Sequence, residues 1–252
     1  MCPNRCDTDC VFSAPYPRDV VQVAGSDAAT FLQSQLSQDI RPLTVGESAW
    51  SFLLQPAGKI EVLLRIWRTG DDSFVLDTDA GFGEARVARL NRFKIRVKAE
   101  ISELLWHCIA LRGDGAAEID GLASWGGGVD LLGEAPATPR DSEAGSAEDL
   151  LAARIDAVWP AMGSEIVSGQ TIPGETGIVA VAVNFTKGCY PGQELVERMD
   201  SRGASAPRSL QRVTVPAGTA VGDAYTIDGQ SVGVVTSVLG QAALAMVKRG
   251  AH

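Results

Sequence analysis

The chain has 252 residues, of which 45% are hydrophobic and 21% charged, enough apolar material for a substantial core and too much for a disordered polymer. Its formal net charge of -9 argues against direct nucleic-acid binding, which needs Lys and Arg against phosphates, but allows a small anion held in a local basic pocket. Neither a basic-then-apolar leader nor an uninterrupted run of about 18 apolar residues is present, so the chain is expected in the cytoplasm, off the membrane, with its five cysteines reduced.

Residues 1–17 read as a flexible tail. Within it Cys2, Cys6 and Cys10 share a four-residue spacing but match no C-x2-C zinc pattern, so no metal is assigned to them. The segment Arg18–Ala24 reads as a strand, with Val20, Val21 and Val23 supplying β-branched bulk. Ser26 and Asp27 are placed to cap a helix that buries Phe31, Leu32 and Leu36. Two strands follow, Ser48–Leu54 and residues 60–67, joined by a turn at Pro56-Ala57-Gly58-Lys59. A third strand is expected at residues 73–77.

Residues 84–93 have the spacing of an amphipathic helix, and Arg86, Arg89 and Arg92 repeat every third position as a basic stripe. A solvated face is the expected place for them. Strands are then expected at residues 95–101 and 104–111, with Cys108 buried as a small hydrophobe. Residues 133–149, rich in Ala, Pro, Ser and acids, read as a surface loop. A helix carries Leu150, Leu151, Arg154 and Ile155 and ends before Pro160. Another carries Leu195, Val196 and Met199. From residue 210 onward short β-type runs dominate, with Asp228-Gly229 as a tight-turn signal, and they read as a small β domain.

Reactive groups are few. With two histidines, His107 in a strand and His252 at the end, no Ser-His-Asp triad, His-rich zinc site or Cys-His dyad is favoured, and no G-x-x-x-x-G-K-[ST] loop is present. Residues 185–194 stand apart: Phe185-Thr186-Lys187-Gly188-Cys189-Tyr190-Pro191-Gly192-Gln193-Glu194 joins a thiol, a nearby cation, two glycines and an incipient helix. The unsatisfied N–H groups of that helix start and a Lys187 side chain turned to the sulfur would both favour the Cys189 thiolate. A structural turn with a buried cysteine is the alternative.

Lys187 to Glu194 resembles the K-G-C-[FY]-x-G-Q-E signature of the YgfZ-type folate-binding proteins, relatives of the glycine-cleavage T-protein (aminomethyltransferase). Other stretches agree in order. Residues 27–39 look like the family's first helix, and residues 54–59 resemble its L-x-P-x-G-K hairpin. Residues 154–165 resemble its R-[IL]-E-x-G-x-P-x-x-G-x-E stretch, and residues 172–175 its I-P-x-E. Arg202-Gly203 and residues 232–237 also fit.

The resemblance implies an α+β fold with ferredoxin-like halves around a central folate-type pocket at residues 18–204. A small or truncated β-barrel domain at residues 205–252 would follow. It implies a tetrahydrofolate-linked accessory role for iron–sulfur proteins or their assembly factors, including tRNA-modifying iron–sulfur enzymes. Cys189 and Lys187 take the signature thiol and lysine positions. Arg154, Glu165, Glu175, Tyr190 and Gln193 fall at positions that would face the folate. Arg154 would suit a carboxylate there through its forked hydrogen bonds. The T-protein's catalytic aspartate would lie near Asp77 or Asp79, where the local pattern does not resemble the enzyme's motif. One-carbon (aminomethyl) transfer and a non-catalytic docking scaffold are the rival readings.

Overall fold

The computed structural model describes residues 11–201 and 206–250. Its elements begin with β1 (Phe12–Pro15), β2 (Arg18–Ala24), α1 (Ala28–Gln35), β3 (Ser48–Leu54), β4 (Ile60–Gly70), β5 (Ser73–Asp79) and α2 (Gly83–Phe93). They continue with β6 (Glu100–Leu104), β7 (His107–Arg112), β8 (Leu122–Ala123), β9 (Val129–Gly133), β10 (Glu143–Ala144), α3 (Ala147–Asp156), α4 (Val179–Ala182) and α5 (Gln193–Ser201). Four strands close the order: β11 (Arg208–Thr214), β12 (Ala224–Ile227), β13 (Gln230–Leu239) and β14 (Ala242–Lys248).

The architecture is mixed α+β with three sheets, in the orders β3-β4-β5-β2-β6, β10-β1-β7-β9-β8 and β11-β14-β13-β12. The middle of the first sheet is apolar on both faces, as a sheet covered on both sides requires. On one face Leu53, Val62, Leu64 and Ile66 pack with Phe31, Leu32 and Leu36 of the α1 segment and Leu90 of α2. On the other, Trp50, Phe52, Leu54 and Leu63 pack with Trp125, Trp159, Met162 and Tyr190. Each such large side chain removed from water contributes roughly 1.5–3 kcal/mol. The third sheet is antiparallel throughout, with β11 and β12 at its edges. Its described strands form a four-stranded sheet, and no closed barrel is found among the described residues. The Asp228-Gly229 turn joins β12 and β13, both residues having positive φ (49° and 78°).

Four local expectations change. Residues 12–15, assigned to a flexible tail, form β1, which pairs antiparallel with β7 and parallel with β10. The spacing of Cys2, Cys6 and Cys10 lies outside the described residues. Asp27 does precede α1, but its side chain does not cap that helix; its Oδ2 accepts the Lys98 N–H at 2.8 Å. The strand expected at residues 95–101 starts only at Glu100, because Arg96 takes a left-handed φ of 59° that breaks the extension suggested by Ile95, Val97 and Ala99. The α2 arginine stripe is not a solvated face. Arg86 and Arg89 are buried, donating to the carbonyls of Asp19 and Leu76 and of Leu54, whereas Arg92 is exposed.

Candidate functional site

Two glycines build the signature loop onto the first sheet. Gly58, in the β3–β4 turn, has φ +81°, and a Cβ there would lie 2.4 Å from Leu195 Cβ. Gly192 has φ +84°, and a Cβ there would lie 2.5 Å from the Gln55 carbonyl and 2.9 Å from Gly58 Cα. Both positions need a residue that tolerates positive φ and has no side chain in the gap. The hairpin and the start of α5 therefore approach as bare backbone.

The loop's other anchor is Lys187. The end of α1 leaves carbonyls without helical partners, and the Lys187 ammonium collects them. Nζ donates to Gln33 O at 2.7 Å, to Leu36 O and to Gln38 O at 3.1 Å, and lies 5.2 Å from the Tyr190 ring centroid. A cation at a helix C-terminus is also favoured by the helix dipole. The side chain is buried, and burial pulls its pKa down to about 8. An ammonium has three protons, and all three are directed to carbonyls. The expectation that Lys187 turns toward the Cys189 sulfur is thereby corrected. Nearby, Asn184 N–H donates to Ser37 O at 2.9 Å and Ser37 Oγ to Ala182 O at 2.7 Å, so the same end of α1 holds the loop's entry.

Cys189 itself is exposed, so the alternative of a buried structural cysteine does not apply. Tyr190, next to it, points inward. It is buried in the central apolar cluster, its hydroxyl has no partner among the described residues, and burial pushes the phenol up to about 12. Gln193 acts locally: its Oε1 accepts the Tyr190 N–H at 3.4 Å and its Nε2 donates to Glu197 at 2.5 Å.

The other expected ligand residues sit in different constellations. Arg154 on α3 donates to Glu165 Oε2 (2.7 Å), to the Trp159 carbonyl (3.0 Å) and to Ser237 Oγ (2.5 Å). Ser237 on β13 in turn donates to Glu165 Oε1 at 2.7 Å. Glu175 receives Arg208 of β11 at 2.8 and 3.2 Å. Both groups fasten the third sheet to the rest of the protein, and the forked hydrogen bonding expected of Arg154 toward a ligand is spent on these partners.

Sequence reasoning missed a deeply buried polar cluster. Arg18 Nε donates to Asp77 at 2.8 Å, and the same guanidinium pairs with Asp79. Arg65 bridges Asp77 at 3.0 Å and Asp130 at 2.9 Å, and Arg112 reaches Asp130 at 2.9 Å. Arg65 also lies 5.3 Å from the Trp50 ring centroid, and Arg112 lies 3.9 Å from that of Trp125. Burial raises the Asp77 carboxyl, but the Arg65 and Arg18 guanidiniums outweigh it and hold the acid below its ordinary range. The remaining oxygen of Asp79 accepts the Met162 N–H at 2.9 Å. The Asp77 carboxylate is therefore a poor base for reaction chemistry. The signal in the sequence was a single charge inside an apolar strand run: Arg65 in residues 62–67, Asp77 in residues 74–77, Asp130 in residues 129–132.

With this geometry in view, the likenesses to known proteins can be placed. Residues 19–126 match the GCVT N-terminal domain family. An uncharacterized protein of Haemophilus influenzae is 26% identical over 193 residues, covering 74% of this chain and 67% of that one. The tRNA-modifying protein YgfZ of Escherichia coli is 26% identical over 223 residues, covering 73% of this chain and 65% of YgfZ. The matches thus span about two thirds of the length of these curated relatives. In structure, the glycine cleavage system aminomethyltransferase T from Bartonella henselae superposes with a TM-score of 0.69 at 19% identity, covering 95% of this chain and 79% of that one; this likeness shows the fold. The match at residues 19–126 and the shared fold support a likeness to the GCVT superfamily. Within that superfamily, the signature loop and the 26% identical relatives make the likeness one to the YgfZ-type proteins.

Proposed function

We propose that the protein is a tetrahydrofolate-binding accessory factor of the cytoplasm. It would serve iron–sulfur proteins or their assembly factors, including tRNA-modifying iron–sulfur enzymes. The observation that carries this reading is the contrast within the signature loop: Lys187 and Tyr190 are buried and held, while Cys189 between them is exposed. A thiol presented on an anchored loop is suited to meeting another macromolecule. The likeness to YgfZ, a protein named for tRNA modification, supports the client class.

The residues present fit a pterin in their chemistry. Tyr190 has a buried hydroxyl without a partner among the described residues, a polar atom that a heteroaromatic ligand could satisfy, beside Trp50, Trp159 and Met162 of the same apolar cluster. Bound tetrahydrofolate would supply one-carbon carrier chemistry. The protein's part would be to satisfy the Tyr190 hydroxyl and exclude water. One-carbon transfer by this chain is less supported, because Asp77 and Asp79 are occupied by arginines and by a backbone N–H.

Calorimetric titration of the full chain with tetrahydrofolate tests the ligand, and Cys189→Ser tests the thiol. Saturable folate binding is expected in both proteins. The serine variant is expected to fail to restore a tRNA-modifying iron–sulfur enzyme in cells lacking the wild-type protein. Absence of folate binding would end the folate reading. Full activity of Cys189→Ser would leave the loop as a docking turn.

A further inference from the structure

The protein carries 31 acidic and 22 basic residues, yet residues 92–98 (Arg92-Phe93-Lys94-Ile95-Arg96-Val97-Lys98) contain four cations and no acid. The run starts at the C-terminal end of α2 and leads toward β6. Arg92, Arg96 and Lys98 are exposed, as are Phe93 (37%) and Ile95 (77%). Lys94 is tied back by a 2.7 Å hydrogen bond to the Ala99 carbonyl.

Beside the run lies a cleft of about 590 Å³ between α2 and the β3–β4 turn. It is lined by the small or apolar residues Pro56, Ala57, Ala85 and Ala88, by Phe93 and by the two arginines Arg89 and Arg92. Arg89 is clamped by its bond to the Leu54 carbonyl and lies 3.9 Å from the Phe93 ring centroid, so the ring is backed by a fixed guanidinium. Gln55 and Glu61 complete the lining with an amide and a carboxylate, hydrogen-bonded to one another at 2.5 Å.

We propose that this cleft and the adjoining basic run bind a single-stranded RNA segment. One base would stack on Phe93 with its edge toward Gln55 and Glu61, and the flanking phosphates would run along Arg92, Arg96 and Lys98. The combination favours RNA over an acidic peptide, since an exposed ring backed by arginine and a pocket with both donor and acceptor atoms serve a nucleobase. A membrane surface is disfavoured because a concave cleft cannot lie flat on lipid. The net charge, which argued against nucleic acid for the chain as a whole, averages over this local site.

The test is fluorescence anisotropy of the full chain with a labelled mixed-sequence RNA octamer across a salt series. Three phosphate contacts predict a slope of about -2 for the logarithm of affinity against the logarithm of salt. Arg92→Glu with Arg96→Glu should weaken binding at least ~10-fold through lost phosphate contacts. Phe93→Ala should weaken it about 10-fold while Phe93→Trp keeps it. Circular dichroism confirms that each variant is folded. No RNA binding at low salt would overturn the proposal. So would equal affinity for an octamer of glutamate, or indifference to Phe93→Ala, either of which would mark a surface for acidic proteins. None of these outcomes depends on whether folate binds.

Discussion

At the scale of single residues, Lys187 and Cys189 divide the work of the signature loop. Cys108 is buried on β7, where burial pushes its thiol up, and Cys189 is exposed. A thiol reagent followed by site-resolved mass spectrometry should therefore label Cys189 within the time that leaves Cys108 untouched in native protein. Equal labelling of both would contradict the exposed placement. Lys187 gives a pH signature. Its pKa is about 8 when folded and near the ordinary lysine value of roughly 10.4 when unfolded. Between those values the unfolded chain holds a proton that the folded one has released, so this residue's contribution to stability rises with pH across the window. Denaturant unfolding of wild type and Lys187→Met at pH 7.5 and pH 10 should show the wild type gaining relative to the variant. A difference that stays constant or shrinks would mean that the carbonyl bonds hold the ammonium charged in spite of burial.

At the scale of elements, α3 is fastened to β13 through Arg154, Glu165 and Ser237. Removing the arginine leaves Glu165, a fully buried carboxylate side chain, without its cation. Arg154→Ala should destabilise the protein by about 3 kcal/mol, toward the lower end of what breaking a buried pair costs. Thermal or denaturant unfolding measures this directly, and folate affinity should change little. A variant of unchanged stability that had lost its folate site would return Arg154 to the ligand role its sequence position suggested. The contrast shows what the sequence reveals about elements and what it hides. Most strands and helices were legible because their apolar residues repeat with the period of the element. The destinations of the arginines were not. Arg86, Arg89 and Arg154 end on carbonyls or carboxylates that the fold brings in from elsewhere, and a period-three stripe is the same in sequence whether it faces solvent or backbone. The β6 boundary was hidden for a related reason, since nothing in the alternation of Ile95 and Val97 announces the left-handed turn at Arg96.

At the scale of the whole molecule, the chain of charges from Arg18 through Asp77, Arg65 and Asp130 to Arg112 joins the first two sheets across the core. Burying these ions is costly, and the arrangement holds only while every charge has its partner. Asp77, like Asp130, faces two guanidiniums at once, so losing its charge tests the arrangement directly. Asp77→Asn keeps the shape and removes the charge, leaving Arg18 and Arg65 over-positive in a dry interior, and should cost about 3–5 kcal/mol. The acid limb of the stability curve gives an independent check. The folded pKa of Asp77 is below its unfolded value, so its stabilisation is complete above the unfolded pKa of roughly 3.9 and is lost as pH falls through the folded value. Wild type should therefore lose stability steeply below about pH 4, and Asp77→Asn, already weakened at pH 7, should lose less over the same interval. Denaturation midpoints at pH 7, 4 and 3 for the two proteins separate the cases. Parallel acid limbs would show that Asp77 does not act as the ionised link between the sheets, and that the two layers are held by the tryptophan-rich packing around it instead.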